Sequence, residues 1–519
     1  MIKNFKWLLL ASLSFVACNN NDDEDAVVEI PITPGTAVLT KYVALGDSFA
    51  AGYSDDALFK AGQVNSYVNI LAQQFVPAGG GAFTTPLMAD NFGGLLLGGN
   101  VIAGTRKAAL GYDPVGKSPV IGSIPGTPTT EVTTHLTGPF NNLGVPGAKS
   151  YHLLASGFGD VSKIATGKAN PYYVRFATSG TASVLSDALA QDPTFFSLFI
   201  GGNDVLLYAT NGGAGVNQTG NLDPATYGKN DITDPNVFAN VYNALATNLT
   251  AKGAKGVVAN LPYVTTLPYF TTVPSSPLTS SLLGGGNVAV GEATIAALNT
   301  QLYGPLKQAL TAFGAGDRIN LLSTTAANPL LISDEKLSNL SAQLTAAFTP
   351  LLGAAKAAAY GQVFGQARQA TKADLVLLTT KGVIGGATGY PAPLDKFGIT
   401  FPLLDKHVLI ASEVAEVQVA TDAYNVTIAA TAEAKGLAFV DAKEAMTQLA
   451  TTGVPFGNYQ MTAAYFSGGA FSLDGVHPSP RGYAFIANLF VDAINKKYGA
   501  TLRTVDLANY QIQYPATIQ

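Results

Sequence analysis

Lys41-Tyr42-Val43-Ala44-Leu45-Gly46-Asp47-Ser48 is the stretch that decides the fold class. Tyr42 to Leu45 form a short apolar, β-prone run, and Gly46 turns the chain at its end. An apolar run without polar alternation suits a strand buried on both faces, as in parallel sheets. Three further runs repeat the pattern: 195–200 before Gly201-Gly202, 255–260 before Leu261-Pro262, and 437–441. Between them, apolar spacing predicts helices over 65–75, 181–191, 237–252, 412–435 and 480–498. The last two end at Gly436 and Gly499, and the last opens after Ser479, a good N-cap. Strands alternating with helices imply an α/β fold with a parallel sheet.

Two regions break that rhythm. Residues 77–140 are rich in Gly, Pro and Thr and read as irregular. Residues 271–401 hold a helix-like stretch near 293–313 and an Ala-rich pair near 337–370. Both are expected as insertions on the α/β core; the second either caps a site or thickens the domain. No internal repeat of fixed period is present.

Composition agrees with a folded chain. Only 12% of the 519 residues are charged, half the usual ~25%, while 47% are hydrophobic, so Thr, Ser, Asn and Gln must supply the polar surface. Disorder would need low hydrophobicity and high net charge. The net charge of −5 leaves no basic footprint for nucleic acid.

The amino terminus reads as a targeting segment. Lys3 and Lys6 precede an apolar run over 7–17, shorter than the ~20 residues of a membrane span and fitting a secretory signal peptide. Cys18 is the only cysteine, so no intrachain disulfide can form. Ala17 before Cys18 resembles a bacterial lipobox, with Phe15 where leucine is usual. That implies signal cleavage after residue 17, lipidation at Cys18 and attachment to the envelope, in the outer membrane; the other reading is a plain secretory signal. Residues 19–25, Asn-rich then acidic, are a solvated tether and resemble the surface-export signal of some lipoproteins. Residues 18–40 are expected as lipidated cysteine plus flexible tether, with an extended lead-in from 30. A single domain is expected over 41–505 and a C-terminal tail over 506–519.

The candidate chemistry lies at strand ends. Ser48 follows the first strand, at the edge where open α/β sheets bind ligands. It is either a nucleophile or a helix cap. Asp474-Gly475-Val476-His477-Pro478 places an acid three residues before a histidine, so the acid can hold one ring nitrogen while the other takes a proton from a serine. Of His135, His152, His407 and His477, only His477 has that acid and a helix start just after it. Asn203 follows the second strand, and Gly147 lies in a Gly-containing turn, 141–148. With the Ser48 N–H, these two are candidates for an oxyanion hole. Gly79-Gly80-Gly81 and Gly284-Gly285-Gly286 lack the Lys and Ser/Thr of a phosphate loop. No His/Cys cluster has metal-ligand spacing. Asp47 and Asp204 are expected to brace loops rather than to hold a metal.

Four blocks in order give the chain its resemblance: GDSFAAG at 46–52, NLGVPGA at 142–148, GGND at 201–204 and DGVHPS at 474–479. The chain resembles the SGNH hydrolases, also called GDSL esterases or lipases. The resemblance implies a three-layer α/β/α sandwich with a five-stranded, flavodoxin-like parallel sheet, here carrying large insertions. It implies Ser48 as nucleophile, His477 as base and Asp474 orienting it. Ser48, Gly147 and Asn203 would form the oxyanion hole. It implies a cofactor-free serine esterase acting on a small-molecule, lipid or glycan ester. A non-catalytic surface-binding lipoprotein and an acyltransferase or carbohydrate O-deacetylase remain as alternative readings.

Overall fold

Five short parallel strands organise the molecule, and their side chains are buried nearly throughout. In the computed structural model, which describes residues 31–113 and 118–516, they are β1 (Tyr42–Gly46), β2 (Asn142–Gly144), β3 (Phe195–Phe199), β4 (Lys255–Ala259) and β5 (Ala438–Val440). The spatial order is β2-β1-β3-β4-β5, with every neighbouring pair parallel. Leu45 lies opposite Leu143 on one side and Leu198 on the other. All five residues of β1 and of β3 are buried, each large apolar side chain contributing ~1.5–3 kcal/mol. Apolar runs without alternation are thus explained by helices covering the sheet.

The helices are α1 (Ser48–Ala51), α2 (Tyr67–Phe75), α3 (Val184–Leu189), α4 (Asn203–Ala209), α5 (Pro235–Thr250), α6 (Ala411–Lys435) and α7 (Pro480–Tyr498). Caps account for most of their starts: Ser66, Ser183, Asp234 and Ser479 each accept a first-turn N–H. Helices α2 and α7 pack together, with α7 against β4 and β5. A second group has α5 against α6, and α6 against the same two strands. This arrangement is consistent with a three-layer α/β fold.

Three expectations need correction. The turn expected over 141–148 begins with a strand, β2. Its pairing is supported by the Asn142 side chain, whose Nδ2 donates to Ala50 O (2.9 Å) and whose Oδ1 accepts from Gly144 N (3.0 Å). Residues 32–40, expected as the end of a flexible tether, are packed against the body. Thr36 N donates to Tyr498 O at 2.9 Å, and Ala37 and Leu39 are buried in the main core. At the other end, Leu507 and Tyr514 are buried, so the tail is packed through its described part. The chain divides into residues 1–31 and a body, 32–519. The signal segment, Cys18 and the acidic run lie outside the described residues.

The insertion over 77–140 is irregular as expected, apart from two antiparallel hairpins, Leu96–Leu97 with Asn100–Val101 and Ala108–Asp113 with Ser118–Ser123. The insertion over 271–401 folds around apolar clusters separate from the main core. Helices Val288–Leu298, Gly304–Ala312, Ser341–Leu352 and Ala354–Phe364 surround the larger of them.

Gly144 shows how tightly β2 holds the site. A Cβ there would lie 2.3 Å from Ala51 N and 2.7 Å from Ala50 C, both backbone atoms of α1. Gly144→Ala is therefore expected to destabilise the fold by ~1–3 kcal/mol, as overpacking does. Urea denaturation measures it, and parental stability would show that β2 and α1 are not seated in this way.

Candidate active site

The serine emerges where β1 gives way to α1. Asp47 caps this one-turn helix, its Oδ1 accepting from Phe49 N at 3.0 Å. The cap is therefore Asp47, and the Ser48 hydroxyl is left to face the histidine. Asn203 starts α4 directly after β3. Because β1 and β3 are neighbours and β2 lies on the far side of β1, Ser48 and Asn203 flank the point where the strand order reverses, the usual ligand crevice of such sheets.

The loop before α7 brings the other two groups. His477 Nε2 lies 2.9 Å from Ser48 Oγ, and His477 Nδ1 lies 3.0 Å from Asp474 Oδ2. A carboxylate can only accept, so Nδ1 carries the proton and Nε2 is free to receive one. Asp474 also accepts from the backbone N–H groups of Val476 (2.8 Å), His477 (2.8 Å) and Asp56 (3.0 Å). Gly475, between them, is left-handed (φ 71°), and a Cβ there would meet Tyr269 N at 3.0 Å. The His477 ring rests against Tyr53, with centroids 4.6 Å apart, and Phe49, at 5.6 Å.

Gly147 and Asn203 open onto the same cleft as Ser48 and His477. Asn203 Nδ2 donates to Ala148 O at 3.0 Å, which orients the amide and leaves its second hydrogen. Gly147 is exposed and left-handed (φ 77°), with open space beside its α-carbon. Gly144, the other glycine of that block, is buried in β2 and its N–H is taken by Asn142. Asp204 braces the Gly147 turn, accepting from Ser150 N and Ser150 Oγ at 2.8 Å each. Asp47 and Asp204 thus both brace loops.

The cleft has a volume of about 1440 Å³, with walls from both insertions: Ile102, Val120 and Ile121 on one side, Leu378 and Thr379 on another. Such a space exceeds the ~300–1,000 Å³ of ordinary small-molecule pockets. The second insertion touches it only through this short segment and Lys381-Gly382. Among the described residues, one group of three carboxylates, Glu335, Asp405 and Glu413, is close enough to share an ion. It does not line the cleft.

Burial dominates the titration of these acids. It pushes Asp47 up to about 6 against the Phe49 N–H and the His477 charge, and it raises Asp204. For His477, burial lowers the pKa, but the charge and hydrogen bond of Asp474, with Asp47 and Asp56 behind, raise it more. The imidazole ends above its ordinary 6.5. Asp474 is raised by burial and lowered more by His477 and the N–H donors, ending below the usual carboxylate value.

Sequence reasoning missed the segment Tyr53-Ser54-Asp55-Asp56. Asp55 and Asp56 have left-handed φ values of 50° and 65°, a conformation costing roughly 1–2 kcal/mol per non-glycine residue. Two adjacent acids in so uncharged a chain, directly after the GDSFAAG block, were the available signal. Comparison with known proteins finds no matching family model, no significantly similar curated protein and no significantly similar solved structure.

Neutral His477 is the form that can take the serine proton, so the reactivity of Ser48 should rise with pH. Its midpoint should lie above the ordinary histidine value of 6.5. Asp474→Asn removes the charge that raises it, and should lower both the midpoint and the plateau. Fluorophosphonate labelling rates between about pH 5 and 9 test this; a flat profile would contradict the assignment of His477 as base.

Proposed function

We propose that the protein is a serine ester hydrolase of the SGNH type, anchored by lipid at Cys18 in the bacterial cell envelope, in the outer membrane. One observation carries the enzymatic reading: the unbroken relay from Asp474 through His477 to Ser48, at 3.0 and 2.9 Å. The strand order, with the nucleophile after β1 and Asn203 after β3, supports the SGNH form of the α/β fold.

His477 Nε2 takes the proton as Ser48 Oγ attacks the ester carbonyl. The oxyanion is received by the N–H groups of Ser48 and Gly147 and the free amide hydrogen of Asn203. Protonated His477 then gives its proton to the departing alcohol, leaving an acyl-enzyme. Water activated by the same nitrogen releases the acid. Asp474 stays ionised throughout and steadies the imidazolium. A scaffold used only for binding has no need for a buried carboxylate holding a histidine against a serine.

Ser48→Ala should abolish turnover of a p-nitrophenyl ester in a folded protein; retained turnover would refute the reading. Asn203→Ala should lower kcat by ~10²-fold, the scale of a lost oxyanion donor. Unchanged kcat there would remove Asn203 from the mechanism. For the anchor, Cys18→Ala should abolish incorporation of labelled palmitate in cells and release the chain from the membrane fraction. Palmitate incorporation that survives Cys18→Ala would refute lipidation at that residue.

A further inference from the structure

We propose that Lys107, in the inserted segment, is a positioning residue of this active site, acting with Asp55 to fix the 53–56 turn against the loop that carries Asp474 and His477. The inference rests on the reading of Ser48, His477 and Asp474 as a hydrolytic triad.

Lys107 is completely buried. Its Nζ lies 3.3 Å from Asp55 Oδ2, with the two side chains 0% and 1% exposed. The ammonium faces the rings of Phe59 and Tyr514, 5.3 and 5.9 Å from their centroids, and donates to Ala108 O at 3.3 Å. Asp55 Oδ2 has no hydrogen-bond partner among the described residues, so the Lys107 charge is what compensates it. Burying a lysine is costly unless its charge is matched. A surface lysine would have served solubility equally well, so this one has work inside the protein.

The matched partner reaches the catalytic loop directly. Asp55 Oδ1 accepts from Leu473 N, and Asp55 N donates to Ser472 Oγ, both at 3.0 Å. Ser54 Oγ donates to Pro478 O at 3.0 Å, and Asp56 N donates to Asp474 Oδ2 at 3.0 Å. The Tyr53 ring packs, tilted, against that of His477. Each residue from 53 to 56 therefore holds a residue of the 472–478 loop. On its other side, Lys107 is tied into the insertion. Its N–H donates to Phe92 O (3.2 Å), its carbonyl accepts from Ile124 N (3.0 Å), and Ala108 N donates to Asp55 O (2.7 Å). The hairpin that starts at Ala108 carries Val120 and Ile121, which wall the cleft. One lysine thus links a substrate wall to the turn that seats the catalytic acid.

A pair that only staples the insertion would change stability and nothing else. A positioning pair changes kcat with KM nearly constant, because displacement on the order of 1 Å can cost ~10²-fold in rate. In the full chain, Lys107→Met is expected to lower kcat for a p-nitrophenyl ester at least about tenfold with KM within about twofold. Amide exchange over 472–478 should accelerate at least about tenfold, while β1 and β3 exchange as in the parent. Because Lys107→Met strands the Asp55 carboxylate, the double variant Asp55→Asn with Lys107→Met, free of buried charge, is measured alongside. It is expected to melt close to the parent and still show the lower kcat and the faster loop exchange. A folded double variant with parental kcat and parental exchange over 472–478 overturns the proposal. Exchange needs no turnover, so the two readings fail separately. A parent chain that hydrolyses no ester, yet loosens at 472–478 on Lys107→Met, would refute the hydrolase and uphold the link between Lys107 and the loop.

Discussion

The buried carboxylate of Asp474 is the constraint around which the site is arranged. It accepts four N–H groups: two from its own loop, one from the 53–56 turn, and the ring of His477. Hydrogen bonds to a charged group contribute ~1.5–3 kcal/mol each, and a buried carboxylate without them is far more costly. The loop, the turn and the imidazole therefore satisfy one another or not at all. The same geometry keeps Asp474 ionised and lifts His477 above its ordinary pKa, so the charge that stabilises the loop also raises the basicity of the imidazole that faces Ser48. Stability and reactivity have opposite signs here. The raised histidine favours the folded state below its unfolded pKa and loses that contribution as pH climbs through the folded value. The neutral base gains over the same range.

The sheet supplies the second constraint, which is distance. Strands of three to five residues are too short to carry a site along their length, and Ser48 and Asn203 sit just past the carboxyl ends of β1 and β3. The reversal of order between β2-β1 and β3 opens a crevice there. Close approach of β2 to α1 at Gly144 and the cap at Asp47 set where Ser48 projects. Asp204, bound to Ser150, then brings the Gly147 turn to the same crevice. Each brace is a buried polar group satisfied by a neighbouring loop, the economical use of charge in a chain with so little of it.

Where the sequence was legible, local punctuation made it so. Gly46 ends an apolar run and leaves Ser48 at a strand end; Ser479-Pro480 opens a long helix and leaves His477 just before it. Four of the five strands show as unbroken apolar runs because both of their faces are covered. The fifth, Asn142–Gly144, does not. It is a three-residue edge strand whose pairing is supported by the side chain of its own Asn142, and its glycine signals a turn until α1 is seen lying against it. The hairpins of the first insertion are hidden for a related reason: their residues are Gly- and Pro-rich and half-exposed. Lys107 and its pairing with Asp55 were unreadable for another. Nothing local marks a lysine as buried, and an ion pair between an insertion and the core has no period or spacing.

The insertions also account for the composition. A cleft wall built from Ile102, Val120 and Ile121, and a separate helical cluster around Tyr303, Leu306 and Phe348, add apolar volume without adding charge. Their loops take Thr, Ser and Asn, whose side chains can bond nearby backbone groups. Surface ion pairs such as Lys252–Asp192 contribute little, but some of the few charges present are buried. Arg368 joins Asp334 and Asp374 at 2.6 and 2.7 Å, and Asp374 in turn accepts from Ala411 N, the first residue of α6. The two cations are used differently: Lys107 of the first insertion pairs with Asp55 of the core, whereas Arg368 pairs with two carboxylates of its own insertion, of which Asp374 reaches α6. Lys107 meets Asp55 within the 53–56 turn that binds Asp474, whereas Arg368 and its two carboxylates lie away from the cleft, which the second insertion reaches at Leu378, Thr379, Lys381 and Gly382.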